Sequence, residues 1–169
     1  MDPFATFGVP AIFDLESAEI ERRYRDLQRA LHPDRFVTAP SSERQLALRN
    51  AVAVNEAYRT LRDPLTRARA LLALRGDGAV GEAKADPMFL MEIMERREAL
   101  SEARAKRDLD SVKKLEAEVR EDESRTYRRL DALFSQGTGD EIARELSKMQ
   151  YFRRFLNEIE SVAEEATAP

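Results

Sequence analysis

Apolar positions in this chain repeat every three or four residues, the spacing that gathers them on one face of an α-helix. Ile20, Tyr24, Leu27 and Leu31 form one stripe and predict a helix running roughly from Glu16 to Leu31. Ala47, Ala51, Val54, Tyr58 and Leu61 form another, predicting a helix roughly from Ser42 to Leu61. The two read as an antiparallel pair, with Phe4, Phe7, Val9, Ile12, Leu71, Leu72 and Leu74 covering its ends. Further along, Val112, Leu115, Val119, Tyr127, Leu130 and Leu133 repeat at near-heptad spacing. Ile142, Leu146, Met149, Phe152, Leu156 and Ile159 keep the helical period as well. Together with an apolar run from Asp86, these segments make a three-helix bundle the economical arrangement. No segment alternates like a strand, so the expected fold class is all-α.

Glycine and proline punctuate the same boundaries. Asp2-Pro3, Asp63-Pro64 and Asp86-Pro87 each offer an N-cap acceptor followed by proline at the first helical position. Ser42 with Gln45, and Thr138 with Glu141, have capping-box spacing. Gly76, Gly78 and Gly81 are three of the six glycines and mark a linker. The expected organisation is an N-terminal helical domain over 1–75, a linker over 76–85 and a bundle over 86–169. Only the helix boundary near Asp108 has no strong breaker.

Composition narrows the chemistry. The chain has 169 residues, 36% of them charged, and contains no cysteine and a single histidine. Disulfides, thiolate metal ligands and thiol nucleophiles are thereby excluded, a histidine-built metal site nearly so, and no cofactor is expected. A net charge of −4 argues against a general nucleic-acid binder. No apolar run approaches the ~20 residues that span a bilayer, so no membrane partner is expected. The start, Met1-Asp2-Pro3, does not resemble a targeting peptide, which leaves the cytoplasm as the expected location.

The most informative feature is His32-Pro33-Asp34. Proline ends the preceding helix and pushes the residue before it out of helical geometry, leaving an imidazole and a carboxylate on an exposed corner. Arg22, Arg25 and Arg29 recur opposite the apolar stripe of that helix, with Arg23 and Arg35 nearby. Such a row is either a solvated face, partly neutralised by Glu19, Glu21 and Asp26, or a steering surface for an acidic partner.

The arrangement resembles the J-domain of DnaJ-family co-chaperones. Phe7-Gly8, Tyr24-x-x-Leu27, His32-Pro33-Asp34, Val54-Asn55-Glu56-Ala57-Tyr58-x-x-Leu61 and Asp63-Pro64 follow in the expected order over residues 1 to 75. The chain departs from the commonest pattern in having Arg35 where lysine is usual, which preserves the charge. The resemblance implies an antiparallel helix pair with short flanking helices that docks on a DnaK-type chaperone through His32, Pro33, Asp34, Arg22, Arg25, Arg29 and Arg35 and accelerates its ATP hydrolysis. It implies no catalysis by this chain.

General DnaJ proteins continue with a Gly/Phe-rich stretch and a cysteine-rich region, and neither is present. The run from Asp86 to Glu98, with Phe89-Leu90-Met91-Glu92 as its core, instead resembles the C-terminal domain of the HscB family, J-type co-chaperones of iron–sulfur cluster assembly. The absence of an N-terminal cysteine motif is similar to the bacterial members. This resemblance implies HscA as the chaperone and the cluster scaffold protein IscU as the client, with Leu90, Met91, Met94, Glu95, Glu98, Glu102 and Tyr151 as scaffold contacts.

Periodicity bears on the same segment. Phe89, Ile93 and Leu100 can serve the bundle core, which leaves Leu90, Met91 and Met94 on another face; Tyr151, Phe155 and Val162 similarly lie off the main stripe of the last helix. These surplus residues are either a binding surface or packing between the two halves. Two rival functions stay open at this point. One is a J-protein serving another client. The other is an enzyme using His32 and Asp34 as an acid–base pair, for which no nucleophile cluster or phosphate loop is evident.

Overall fold

A computed structural model describes residues 2–76 and 86–167 and divides the chain into two compact units, residues 1–79 and 80–169. Residues 77–85, which hold most of the expected linker, lie outside the described residues. Among the described residues no strand forms.

In the first unit, Asp2 caps α1 (Pro3–Phe7), its carboxylate accepting from the amides of Phe4 at 2.8 Å and Ala5 at 3.3 Å. The helix stops at Gly8, whose φ of 65° lies in the left-handed region that glycine enters without a Cβ penalty. Two longer helices, α2 (Ser17–Ala30) and α3 (Ser41–Arg62), pack antiparallel. Ile20, Ala53, Val54, Ala57 and Leu61 are buried with Phe4, Phe7 and Phe13. Asp63 caps α4 (Pro64–Arg75), accepting from Leu65 at 2.8 Å and Thr66 at 3.1 Å. Arg67 is fully buried; it donates Nε to the Leu61 carbonyl and Nη1 to that of Phe13, both at 2.7 Å, and so ties the loop before α2 to the α3–α4 corner.

Two expectations need correction here. Ser42 does not begin a capping box, because α3 starts at Ser41 directly after Pro40, and Ser42 already stands inside the first turn. Ile12 and Leu74 do not cover the pair: they are 49% and 48% exposed, while Phe4, Phe7, Val9, Leu71 and Leu72 suffice to close it.

The second unit contains α5 (Pro87–Lys106), α6 (Leu109–Gln136) and α7 (Gly139–Thr167). Asp86 caps α5 through the Met88 amide at 3.0 Å. The weakly marked boundary falls at Arg107, a non-glycine residue at φ 52°, followed by Asp108 capping α6 through Ser111 N at 3.1 Å and Oγ at 2.7 Å. At α7 the expected box forms, Glu141 Oε2 accepting from both N and Oγ1 of Thr138 at 2.9 Å. The core joins Phe89, Leu100 and Ala103 to Val112, Leu115 and Val119 and to Phe152, Phe155, Ile159 and Val162. Burying each large apolar side chain contributes about 1.5–3 kcal/mol. Phe155 and Val162 are therefore not surplus, at 1% and 7% exposure; α7 faces both α5 and α6 and needs a wider apolar arc than a single stripe. Arg97 pairs with Glu158 at 3.3 Å and Arg104 with Glu165 at 2.8 Å. Both partners advance by seven residues, the register of parallel helices with a common seam.

Candidate functional site

In the first unit the chain leaves α2 with Leu31 N donating to the Leu27 carbonyl at 3.0 Å. His32, at φ −59° and ψ 132°, has the extended geometry forced on a residue before proline. Pro33–Phe36 then make one 3-10 turn, which His32 caps: its Nδ1 accepts from the Asp34 amide at 3.3 Å. Nδ1 also lies 3.6 Å from the Asp34 carboxylate, and the His32 and Asp34 side chains are 59% and 86% exposed. The corner thus presents an imidazole and a carboxylate to a partner, on a turn that proline makes stiff.

The arginines behind it are not equivalent. Arg22 lies 2.6 Å from Glu19 and 3.8 Å from Asp26, and Arg29 pairs with Asp26 at 2.5 Å. The hydrogen bonds from Arg22 and Arg23 hold the Glu19 carboxyl below its usual range, and donating to that carboxylate raises Arg22. Arg25 and Arg35 are exposed and have no ion pair among the described residues. The sequence did not show that Arg25 and Arg29 also border an apolar groove of about 660 Å³ with Gln28, Leu31, His32, Ala51 and Asn55. Its one signal was Ala51, a small residue on the α3 stripe where a larger one would fill the space.

What mounts the tip is an aromatic stack. Tyr58 lies between Tyr24, at 3.8 Å between ring centroids, and Phe7, at 6.5 Å. Tyr24 donates to Asn55 Oδ1 at 2.9 Å and Tyr58 to Glu21 at 2.5 Å, a bond that raises the Tyr58 hydroxyl above its ordinary value.

In the second unit, α5 turns about 100° per residue. Phe89, Arg96, Leu100 and Ala103 therefore define its inner side, Met91, Met94, Glu98 and Glu102 lie outward, and Leu90 and Glu95 stand on opposite flanks. Leu90, Met91 and Met94 are 46%, 59% and 70% exposed, and Met88 beside them 68%. Glu95 and Glu98 are exposed, and Glu102 pairs with Lys106 at 3.0 Å. Tyr151 is not on that face. Its ring stacks on Phe155 and meets Phe89 edge-on, both at 5.5 Å, and its hydroxyl is buried without a hydrogen-bond partner, so burial pushes its pKa up. It stands behind the exposed residues as part of the α5–α7 seam. Among the described residues no His, Asp and Glu side chains converge as a metal site, and no helix is long and apolar enough to cross a membrane.

Comparison with known proteins agrees with this anatomy. Residues 85–160 match the family described as HSCB C-terminal oligomerisation domain. The co-chaperone protein HscB homolog of Burkholderia multivorans is 39% identical over 158 residues, 92% of this chain and 90% of that protein. Its counterpart in Paraburkholderia phymatum is 37% identical over the same shares. Of solved structures, chaperone HscB from Vibrio cholerae superposes with a TM-score of 0.84 at 34% identity, covering 98% of this chain and 99% of that one. Human co-chaperone HscB gives 0.82 at 31% identity, covering 95% and 81%. An all-helical chain with a J-type helix pair and a separate helical bundle is a J-domain co-chaperone. This chain belongs to the HscB family.

Proposed function

We propose that this chain couples a client to a chaperone motor during iron–sulfur cluster assembly in the bacterial cytoplasm. The second unit holds the scaffold protein IscU, while the tip of the first engages the DnaK-type chaperone HscA and stimulates its ATP hydrolysis. The chain supplies contacts and no catalysis. Holding the scaffold on the same molecule that touches the motor raises its effective concentration there.

The observation that carries this reading is the apolar outer face of α5. Leu90, Met91 and Met94 remain exposed after Phe89, Ile93 and Leu100 have met the needs of the bundle core. An exposed apolar group with a charged rim suits a protein partner, and Glu95, Glu98 and Glu102 suit one with basic groups around an apolar centre. Tyr151 contributes by fixing Phe89 from below.

On the first unit, His32, Pro33 and Asp34 form the stimulating contact. Asp34 accepts a charge-assisted bond from a partner cation, and Arg22, Arg25, Arg29 and Arg35 steer the approach to an acidic surface. Methionine-rich faces also adapt to unrelated clients, which keeps a J-protein for another client as the second reading. Calorimetric titration of a purified scaffold protein against the full chain decides between them. Saturable binding supports the proposal, and absent heat from folded partners favours the other client.

A further inference from the structure

We propose that Met91 and Met94, with Met88 beside them, are a methionine-oxidation site through which peroxide releases the scaffold. The inference rests on the proposed function, whose client-binding face these side chains form. The chain has five methionines and no cysteine, so its sulfur chemistry is thioether chemistry alone. Among the described residues, Met88, Met91 and Met94 are 68%, 59% and 70% exposed, whereas Met149 is 2% exposed in the core. The three exposed thioethers lie three residues apart on successive turns at the start of α5, in one continuous apolar strip.

The chemistry needs only solvent access. A thioether lone pair attacks one oxygen of hydrogen peroxide, the O–O bond breaks, and the products are methionine sulfoxide and water; sulfur loses two electrons and no proton is gained or lost overall. The product replaces a soft apolar group with a strong hydrogen-bond acceptor that has no donor. Of its neighbours one turn along the helix, Glu92, Glu95 and Glu98 are acceptors and cannot satisfy the new oxygen, and the guanidinium of Arg97 is already paired with Glu158 at 3.3 Å. Buried against an apolar partner it carries the full cost of an unpaired polar group. The bundle itself is spared, because Leu90, Met91 and Met94 are not among its core residues. Oxidation should therefore act on binding and not on folding, and a sulfoxide reductase should reverse it.

The test uses the full chain treated with hydrogen peroxide, peptide mass spectrometry and titration of the scaffold protein. The expected result has three parts: sulfoxide accumulates at Met88, Met91 and Met94 well before Met149; scaffold affinity falls at least about tenfold with helicity unchanged; and methionine sulfoxide reductase restores it. Oxidation of Met149 at the same rate, or unaltered affinity with Met91 and Met94 fully oxidised, overturns the inference. If untreated protein binds no scaffold, the functional reading fails and the regulation with it, while the sulfoxide map still reports whether the site itself is selective.

Discussion

Tyr24 and Tyr58 lie face to face, ring centroids 3.8 Å apart and planes within 5°, and this contact joins α2, which leads to His32, to α3, which returns from it. Tyr58 also stacks against Phe7 and donates to Glu21, so one side chain connects α1, α2 and α3. Tyr58→Ala should destabilise the first unit by about 2 kcal/mol or more through lost aromatic packing. Tyr58→Phe, which keeps the stack, should cost about 1 kcal/mol for the hydrogen bond. Hydrogen exchange of α2 and α3 amides in the full chain measures both; equal losses would show that the hydroxyl, not the ring, holds the pair.

The arginine row predicts an order of effects. Arg22 is already held by Glu19 and Asp26, while Arg25 has no ion pair among the described residues. Arg25→Glu should slow association with an acidic chaperone surface about tenfold at low salt, and Arg22→Glu less, with both effects shrinking as salt rises. Stopped-flow association rates at several ionic strengths give the comparison. An equal loss from the two variants would contradict the pairing seen here.

Inside the bundle, Arg96 of α5 pairs with Asp122 of α6, at side-chain exposures of 19% and 13%, and lies 5.6 Å over the Phe152 ring. One guanidinium nitrogen, Nη1, is buried without a partner. Asp122→Ala leaves a largely buried cation and should cost about 3 kcal/mol, whereas Arg96→Met combined with Asp122→Leu should recover most of that loss. Urea unfolding of the three variants checks the order.

Glu141 gives a pH signature. Hydrogen bonds from Thr138 hold its carboxyl below the ordinary 4.5. A lowered folded-state pKa means stabilisation that is present above the unfolded value and lost as pH falls through the folded one. Glu141→Gln should therefore lower the thermal midpoint at pH 7, and the gap from the parent protein should shrink as pH falls below the ordinary 4.5 and through the lowered folded-state value. A gap independent of pH would rule out the charged bond as its origin.

Much of this anatomy is legible in the sequence because it rests on local rules. Asp2, Asp63 and Asp86 before proline fix three helix starts, and Thr138 with Glu141 fixes a fourth, since a cap involves residues two or three apart. The exposure of Leu90, Met91 and Met94 is legible because Phe89, Ile93 and Leu100 already supply one apolar stripe. Other features depend on distant partners. Phe155 and Val162 read as surplus until α5 and α6 are both placed against α7. Arg67 looks like any surface arginine, because one of its acceptors is Phe13, 54 residues away. The break at Arg107 has no glycine to announce it. The groove beside His32 exists only once α2 and α3 are paired.

The central claim is a division of labour between a cationic corner and an apolar face, and one paired measurement tests it most directly. ATPase stimulation of the chaperone and scaffold affinity are determined for His32→Gln and for the triple variant Leu90→Ala/Met91→Ala/Met94→Ala in the full chain. The account predicts that His32→Gln abolishes stimulation with scaffold affinity unchanged, and that the triple variant loses scaffold binding while still stimulating the chaperone. Loss of both activities in either folded variant, or full scaffold affinity in the triple variant, would contradict it.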